Sequence, residues 1–151
     1  MKIAFIALRG VPLSDGIVSY TDELATRLQK KGHDVTVYTS RRYGNKTGNY
    51  NNKYYIKTVM SLKNPALEKI SLVFFASLNQ IFKKYDIVHF HGIGIFSALA
   101  KLYNKKIVVQ SHGIEYERAK WGGFAKKVLK WIEKKSYNKG NCLTVVSNIN
   151  K

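Results

Sequence analysis

Glycine and chemically active side chains lie at the ends of three apolar runs of this chain. The runs cover residues 2–8, 86–91 and 107–109. Arg9-Gly10 follows the first run, the second ends in His91 before Gly92, and Gln110-Ser111 leads from the third into His112-Gly113. Buried parallel strands end in this way where the carboxyl edge of their sheet opens into a ligand crevice. The sequence therefore predicts that polar chemistry is collected along one edge of a single sheet.

The histidines allow two kinds of chemistry. His89 and His91 are two residues apart, so they face the same way on a strand, and with His112 they make a three-histidine metal site conceivable. The alternative is that strand histidines are hydrogen-bonded in the core, and we expect no metal. His112 differs because it lies at a strand end beside Gly113, where it either donates a hydrogen bond to a bound polar ligand or caps the loop.

The loop from Arg9 to Gly16 joins the first strand to a helix. Backbone amides and the positive end of a helix dipole form a natural seat for phosphate at such a point. The loop carries neither the dinucleotide-binding glycine pattern nor a P-loop. The alternative is an ordinary strand-to-helix turn in which Ser14 or Asp15 caps the helix.

Strand and helix patterns alternate along the chain. This order predicts an α/β domain: a Rossmann-like, doubly wound parallel sheet of about six strands with helices on both faces. Residues 41–53, rich in Asn, Gly and Lys, are predicted to be an exposed loop, and Cys142 a small core residue. The predicted strands are 2–8, 34–39, 54–60, 86–91, 106–110 and 142–146, and the predicted helices are 17–31, 65–84, 94–103 and 119–138.

The net charge of +17, from 26 basic and 9 acidic residues, favours an anionic partner. The alternative is a surface that simply uses lysine throughout. Residues 119–135 combine tryptophan with lysine at helical spacing, as interfacial helices do, although a crossover helix packed on the sheet has the same apolar stripe. We expect a cytoplasmic protein that contacts anionic lipid on the inner face of the plasma membrane through Trp121, Lys126, Lys127 and Lys130.

Four segments in this order resemble the N-terminal domain of retaining GT-B glycosyltransferases of family 4. They are the first strand with Arg9-Gly-Val-Pro12, Glu23–Tyr38 with its Gly-His-Asp-Val-Thr-Val core, Asp86–Gly92, and Ser111–Glu115. Leu143–Ser147 fits the strand and serine that precede the next helix of that domain. The resemblance extends over essentially the whole chain, and it implies one half of a GT-B fold.

The resemblance also implies site residues. Gly16 corresponds to the second glycine of a Gly-Gly pair near the donor phosphates and the acceptor, and Asp15 stands in the first position. His112 corresponds to the histidine that contacts the transferred sugar. The other implied site residues lie in the first loop, along the cleft and in a variable loop facing the acceptor: Arg9, His91, Gly92, Gly113, Glu115 and Arg118.

Family members carry most of the nucleotide-sugar site in a second domain with two glutamates seven residues apart, and residues 1–151 are not expected to include it. We therefore expect residues 1–151 to be the acceptor-side half of an enzyme that moves sugar from a nucleotide sugar to a glycan or lipid-linked acceptor. The half is expected to need no metal or cofactor, to be inactive alone and to work with a C-terminal half, which a separate chain can supply. The alternative is a non-catalytic basic module that binds anionic lipid or nucleic acid. Because the aromatic residues fall in cores rather than on an open sheet face, we expect no nucleic-acid partner.

Overall fold

One sheet organises the chain, with strands in the order β3-β4-β2-β1-β5-β6-β7. The computed structural model describes residues 1–13, 15–64, 67–91, 106–111 and 141–145, and the single positions 123, 127 and 131. Every neighbouring pair of strands is parallel except β3 and β4. The strands are β1 (Lys2–Leu8), β2 (Asp34–Ser40), β3 (Gly48–Tyr50), β4 (Tyr54–Val59), β5 (Ile87–His91), β6 (Lys106–Ser111) and β7 (Cys142–Val145).

Two helices within the described ranges cover opposite faces of this sheet. Side chains alternate along β1, so Ile3 and Phe5 belong to one apolar cluster and Ala4 and Ile6 to another. Helix α1 (Gly16–Lys30) packs into the first cluster, and helix α2 (Glu68–Ile81) packs into the second. The predicted α/β fold, with a mainly parallel sheet between helices, is confirmed.

The segment 41–53 is not the loop that its composition predicts. A short 3-10 helix (Arg41–Tyr43) is followed by β3, which forms an antiparallel hairpin with β4. Asn51 and Asn52 both have positive φ, and the Lys53 amide donates to the Tyr50 carbonyl oxygen across 2.8 Å. Two consecutive positive-φ residues give a turn whose twist matches the flanking strands. The hairpin adds an antiparallel edge strand to the sheet.

The predicted ends of α2 and the predicted burial of Cys142 need correction. Helix α2 is shorter at both ends than the predicted 65–84. Cys142 is exposed, because it begins β7, an edge strand of the described sheet. The predicted helix 94–103 and most of 119–138 lie outside the described residues. Among the residues that are described, no helix has the length and apolar character needed to cross a bilayer.

Tyr54 of β4 links the sheet to α1. Its side chain is buried, and its hydroxyl donates to an Oδ1 of Asp22 across 2.8 Å. Burial, and then the hydrogen bond to Asp22, raise the pKa of the Tyr54 phenol far above its usual range. The native state therefore keeps this proton at pH values where an unfolded chain releases it.

Stability is accordingly expected to fall as the pH rises above about 10, the usual pKa of a tyrosine. Deprotonation of Tyr54 in the unfolded chain should lower the free energy of unfolding by about 1.4 kcal/mol per pH unit beyond that point. Tyr54→Phe should cost about 1 kcal/mol at pH 7 through the lost hydrogen bond but should show a shallower alkaline decline. Urea unfolding of both proteins from pH 8 to 11 measures this, and parallel declines would contradict it.

Candidate functional site

The carboxyl ends of the parallel strands lie along one edge of the sheet. The amino ends of α1 and α2 return to the same edge, because each helix starts after a strand that ends there. Polar residues at this edge are therefore next to exposed helix amides. The last residues of the six parallel strands are Leu8, Ser40, Val59, His91, Ser111 and Val145.

Helix α1 begins with an aspartate cap and an open glycine. An Oδ1 of Asp15 accepts from the Ile17 amide across 3.0 Å, so Asp15 is the cap of an ordinary helix start. Gly16 is exposed, and a Cβ built on it meets nothing within 4 Å. Neither its φ nor its packing requires glycine, so the protein backbone here is open to close approach by another molecule.

Glu68, the first residue of α2, joins the ends of β1 and β2. One carboxylate oxygen accepts from Nη1 of Arg42 and from the Tyr43 hydroxyl, both across 2.9 Å, and the other lies 3.6 Å from Nε of Arg9. The carboxylate is buried, whereas the Arg9 and Arg42 side chains are 51% and 37% exposed. Desolvation and the Glu68 hydrogen bond raise the pKa of the Tyr43 phenol, which keeps it a donor.

The loops after β1 and β2 are locked together beside this cluster. A Cβ on Gly10 would lie 2.6 Å from the Cβ of Tyr43, so the two backbones approach too closely for any other residue. The Asn45 side chain accepts from the Val11 amide across 2.8 Å and donates to the Val11 carbonyl oxygen. The polar edge is thus a packed arrangement and not a set of independent loops.

The histidines of β5 lie beneath the edge on the α1 side of the sheet. The rings of His89 and His91 stack 4.7 Å apart, and both stack on Phe5. The Thr21 hydroxyl donates its only hydrogen to the Ile17 carbonyl oxygen, so its oxygen accepts from Nε2 of His91 across 3.0 Å. His89 Nε2 likewise lies 3.0 Å from Oε1 of Gln110. Both rings are buried and hydrogen-bonded, as the core interpretation of strand histidines predicts.

The structure places part of the predicted site. Arg9, Asp15 and Gly16 are at the edge, and His91 is buried just below it. Ser111, which directly precedes His112, ends β6 at the same edge. The remaining predicted residues lie outside the described residues: Gly92, His112, Gly113, Glu115 and Arg118.

Sequence reasoning missed Arg42, Tyr43 and Glu68. A pair of arginines directly after the end of β2 was an available signal, as was the single acidic residue of helix α2. In the ranges with assigned structure, no three His, Cys, Asp or Glu side chains are grouped to hold a metal.

The predicted membrane segment is described at single positions. Gly123, Lys127 and Trp131 are helical and exposed, and their four-residue spacing places them on one helix face. Trp131 is 61% exposed. Trp121, Lys126 and Lys130 lie outside the described residues.

Comparisons with known proteins agree with this fold. The family model for Glycosyltransferase Family 4 matches residues 14–151, and no curated protein matches the chain. A solved sucrose-phosphate synthase from Thermosynechococcus elongatus aligns with a TM-score of 0.66 and 16% identity, over 94% of this chain and 41% of its own. The calicheamicin glycosyltransferase CalG4 aligns with a TM-score of 0.50 and 15% identity, over 86% and 36%. These likenesses show the fold of one half of a GT-B protein, and the chain spans less than half the length of either structure.

Two glycines of the first loop should respond oppositely to the same substitution. Gly10→Ala forces a Cβ against Tyr43 and should lower the free energy of unfolding by about 1–3 kcal/mol. Gly16→Ala has open space and an ordinary helical backbone, so stability should be unchanged or should rise by about 0.4–1 kcal/mol. Urea denaturation compares the two variants with the parent chain. Equal losses in both would show that the backbone at Gly16 is as confined as that at Gly10.

Proposed function

The chain belongs to glycosyltransferase family 4, and from that premise we propose that it is the acceptor-side half of a glycosyltransferase. The complete enzyme would move a sugar from a nucleotide sugar to a glycan or lipid-linked acceptor. The observation that carries the proposal is the polar carboxyl edge, which holds both the open start of α1 and the arginines paired with Glu68. Ligands of open α/β sheets bind at such an edge.

The proposal gives each part of the edge a role. Gly16 would let the substrate approach the amides at the start of α1, and His112 would contact the transferred sugar. Gly113 would keep the turn after His112 open, while Glu115 and Arg118 would face the acceptor. His91 would act below the surface, because its hydrogen bond to Thr21 ties the end of β5 to the first turns of α1.

The donor would be held mainly by the other half of the enzyme, as part of a longer protein or as a separate chain. Transfer requires stabilisation of the charge that develops on the nucleotide diphosphate as it leaves, and this stabilisation supplies much of the rate. By this proposal, residues 1–151 contain few groups that stabilise this charge, and they need no metal or cofactor of their own.

Residues 1–151 alone are therefore expected to bind nucleotide sugars weakly or not at all and to transfer no sugar. Calorimetry with nucleotide sugars and a radiolabelled transfer assay test this. Addition of a folded family 4 donor half should restore transfer, and His112→Ala should then lower kcat, with Arg27→Gln as a control at the far end of α1. Turnover by residues 1–151 alone would refute their inactivity. Equal kcat in the His112→Ala and control proteins would refute the site.

We also propose that the protein acts in the cytoplasm and binds the anionic inner face of the plasma membrane. Lys127 and Trp131 support this, because both are exposed on one helical face. Helix α2 offers a second apolar surface: Phe74, Leu78 and Phe82 recur every four residues and are 36%, 36% and 84% exposed. The exposed Lys83 and Lys84 follow it directly, and basic residues beside an apolar helix face are typical of interfacial binding.

The chain should bind vesicles containing anionic lipid and should bind neutral vesicles poorly. Binding should weaken as salt shortens the Debye length from about 10 Å at 0.1 M to about 3 Å at 1 M. Replacement of Lys126, Lys127 and Lys130 by Gln should reduce binding more than the same change at Lys30, Lys31 and Lys57, and Phe82→Ser should reduce it with little effect on folding. Co-sedimentation measures all four proteins. Equal losses in the two lysine triples would mean that only total charge matters.

A further inference from the structure

We propose that Arg9, Arg41 and Arg42 form a subsite for an anionic group, a phosphate or diphosphate, carried by the acceptor. The inference rests on the proposed function and deepens it, since it names the chemical class of acceptor that this edge selects. The site lies where β1 and β2 end and where α2 begins.

The three arginines are adjacent although they come from two segments. The Ser40 amide donates to the Arg9 carbonyl oxygen across 3.1 Å, so Arg9 is paired with the residue that precedes Arg41. Ser40 also caps the 3-10 helix by accepting from the Arg42 amide across 3.1 Å. Neighbouring parallel strands thus bring the backbones of three arginines to one short stretch of the edge.

The positive charge exceeds what the fold uses there. Glu68 is the acidic residue that pairs with this group in the described part of the chain, and it faces Arg9 and Arg42. Arg42 is committed through Nη1, which also donates to the Leu62 carbonyl oxygen across 3.0 Å, while its side chain stays 37% exposed. Arg9 approaches Glu68 only through Nε, at 3.6 Å, and remains half-exposed. Arg41 is exposed and pairs with no described carboxylate.

A purely structural role accounts for Arg42 but not for all three residues. A buried carboxylate needs partners, and Arg42 with Tyr43 already supplies two hydrogen bonds to it. The excess guanidinium groups of Arg9 and Arg41 have the planar, forked geometry that suits phosphate oxygens. Because Glu68 and the locked loops hold this segment in place, an anion would bind with little loss of loop freedom.

NMR titration of the isotopically labelled chain with inorganic pyrophosphate at 0.15 M salt tests the subsite. Amide shifts should change at residues 9–10 and 41–43, and Arg9→Gln and Arg41→Gln should each weaken binding about fivefold to tenfold. Arg27→Gln is the matched control: it removes the same charge from the last turn of α1, at the opposite end of that helix. The control should change affinity less than twofold.

The inference is overturned if the arginine variants lose no more affinity than Arg27→Gln, or if shifts spread evenly over the lysine surface. Arg42 is left intact because Glu68 depends on it. Should Arg9→Gln fail to fold, Arg41→Gln still decides the matter, since its side chain pairs with no described group. Loss of the subsite would leave the acceptor-side assignment standing, since pyrophosphate binding does not require sugar transfer.

Two further ligands identify the source of the anion. A soluble sugar phosphate that binds more tightly than pyrophosphate indicates a soluble phosphorylated acceptor. Geranyl diphosphate that binds more tightly, with additional shifts along the exposed face of α2, indicates a lipid-linked one. If neither ligand competes with pyrophosphate for the arginines, the subsite has no acceptor role.

Discussion

One buried carboxylate constrains the whole polar edge of this molecule. A charge removed from water must be paired, and breaking such a pair costs about 3–5 kcal/mol. Glu68 is therefore satisfied only if Arg42 and Tyr43 follow β2 in their observed positions, and Arg9 after β1 adds a longer ion pair at 3.6 Å. Because Glu68 also begins α2, the same carboxylate joins the start of that helix to these two loops. Electrostatics at a single point thus arranges three segments that are far apart in the sequence.

A stacked group of aromatic rings beneath the polar edge supports it. Phe5, His89 and His91 form a stack between β1 and β5 on the face covered by α1. Since His91 donates to Thr21, α1 is attached to the end of β5 as well as to the loop that precedes it. Aromatic stacking, with a hydrogen bond at each Nε2, gives a layer that is apolar on its ring faces and directional at its ring edges. The start of α1 is consequently fixed by contacts on two sides.

The fold could be predicted where the pattern is local and repetitive. Continuous β-branched runs identify buried parallel strands such as β2 and β6, and three-to-four-residue spacing identifies α1. The hairpin of β3 escaped because its strand has three residues and its turn uses Asn51 and Asn52 instead of an Asn-Gly pair. Cys142 was misplaced because an apolar run does not reveal whether its strand is central or at an edge.

Some residues of the candidate site could likewise be predicted from the sequence, and others could not. The loop from Arg9 to Gly16 follows from the rule that a strand, a glycine loop and a helix make a ligand edge, and Asp15 and Gly16 are singled out within it by the family resemblance. The partnership of Arg9 and Arg42 with Glu68 could not be predicted, because an ion pair between distant segments leaves no periodic trace in the sequence. That Asp15 is a helix cap and that His91 is buried were open alternatives that only the packed structure separates.

The hairpin at the outer side of β4 also affects how the molecule meets its neighbours. An exposed sheet edge is a template on which another chain adds a strand, and this is a common start of aggregation. Here the outermost strand offers only the residues from Gly48 to Tyr50, and Gly48 has a φ of 151° that few residues adopt. An edge strand this short and irregular offers few backbone N–H and C=O groups to an incoming strand. The segment between the two core strands β2 and β4 therefore protects this edge of the sheet. Even at high protein concentration, it keeps the sheets of neighbouring copies from pairing on this side.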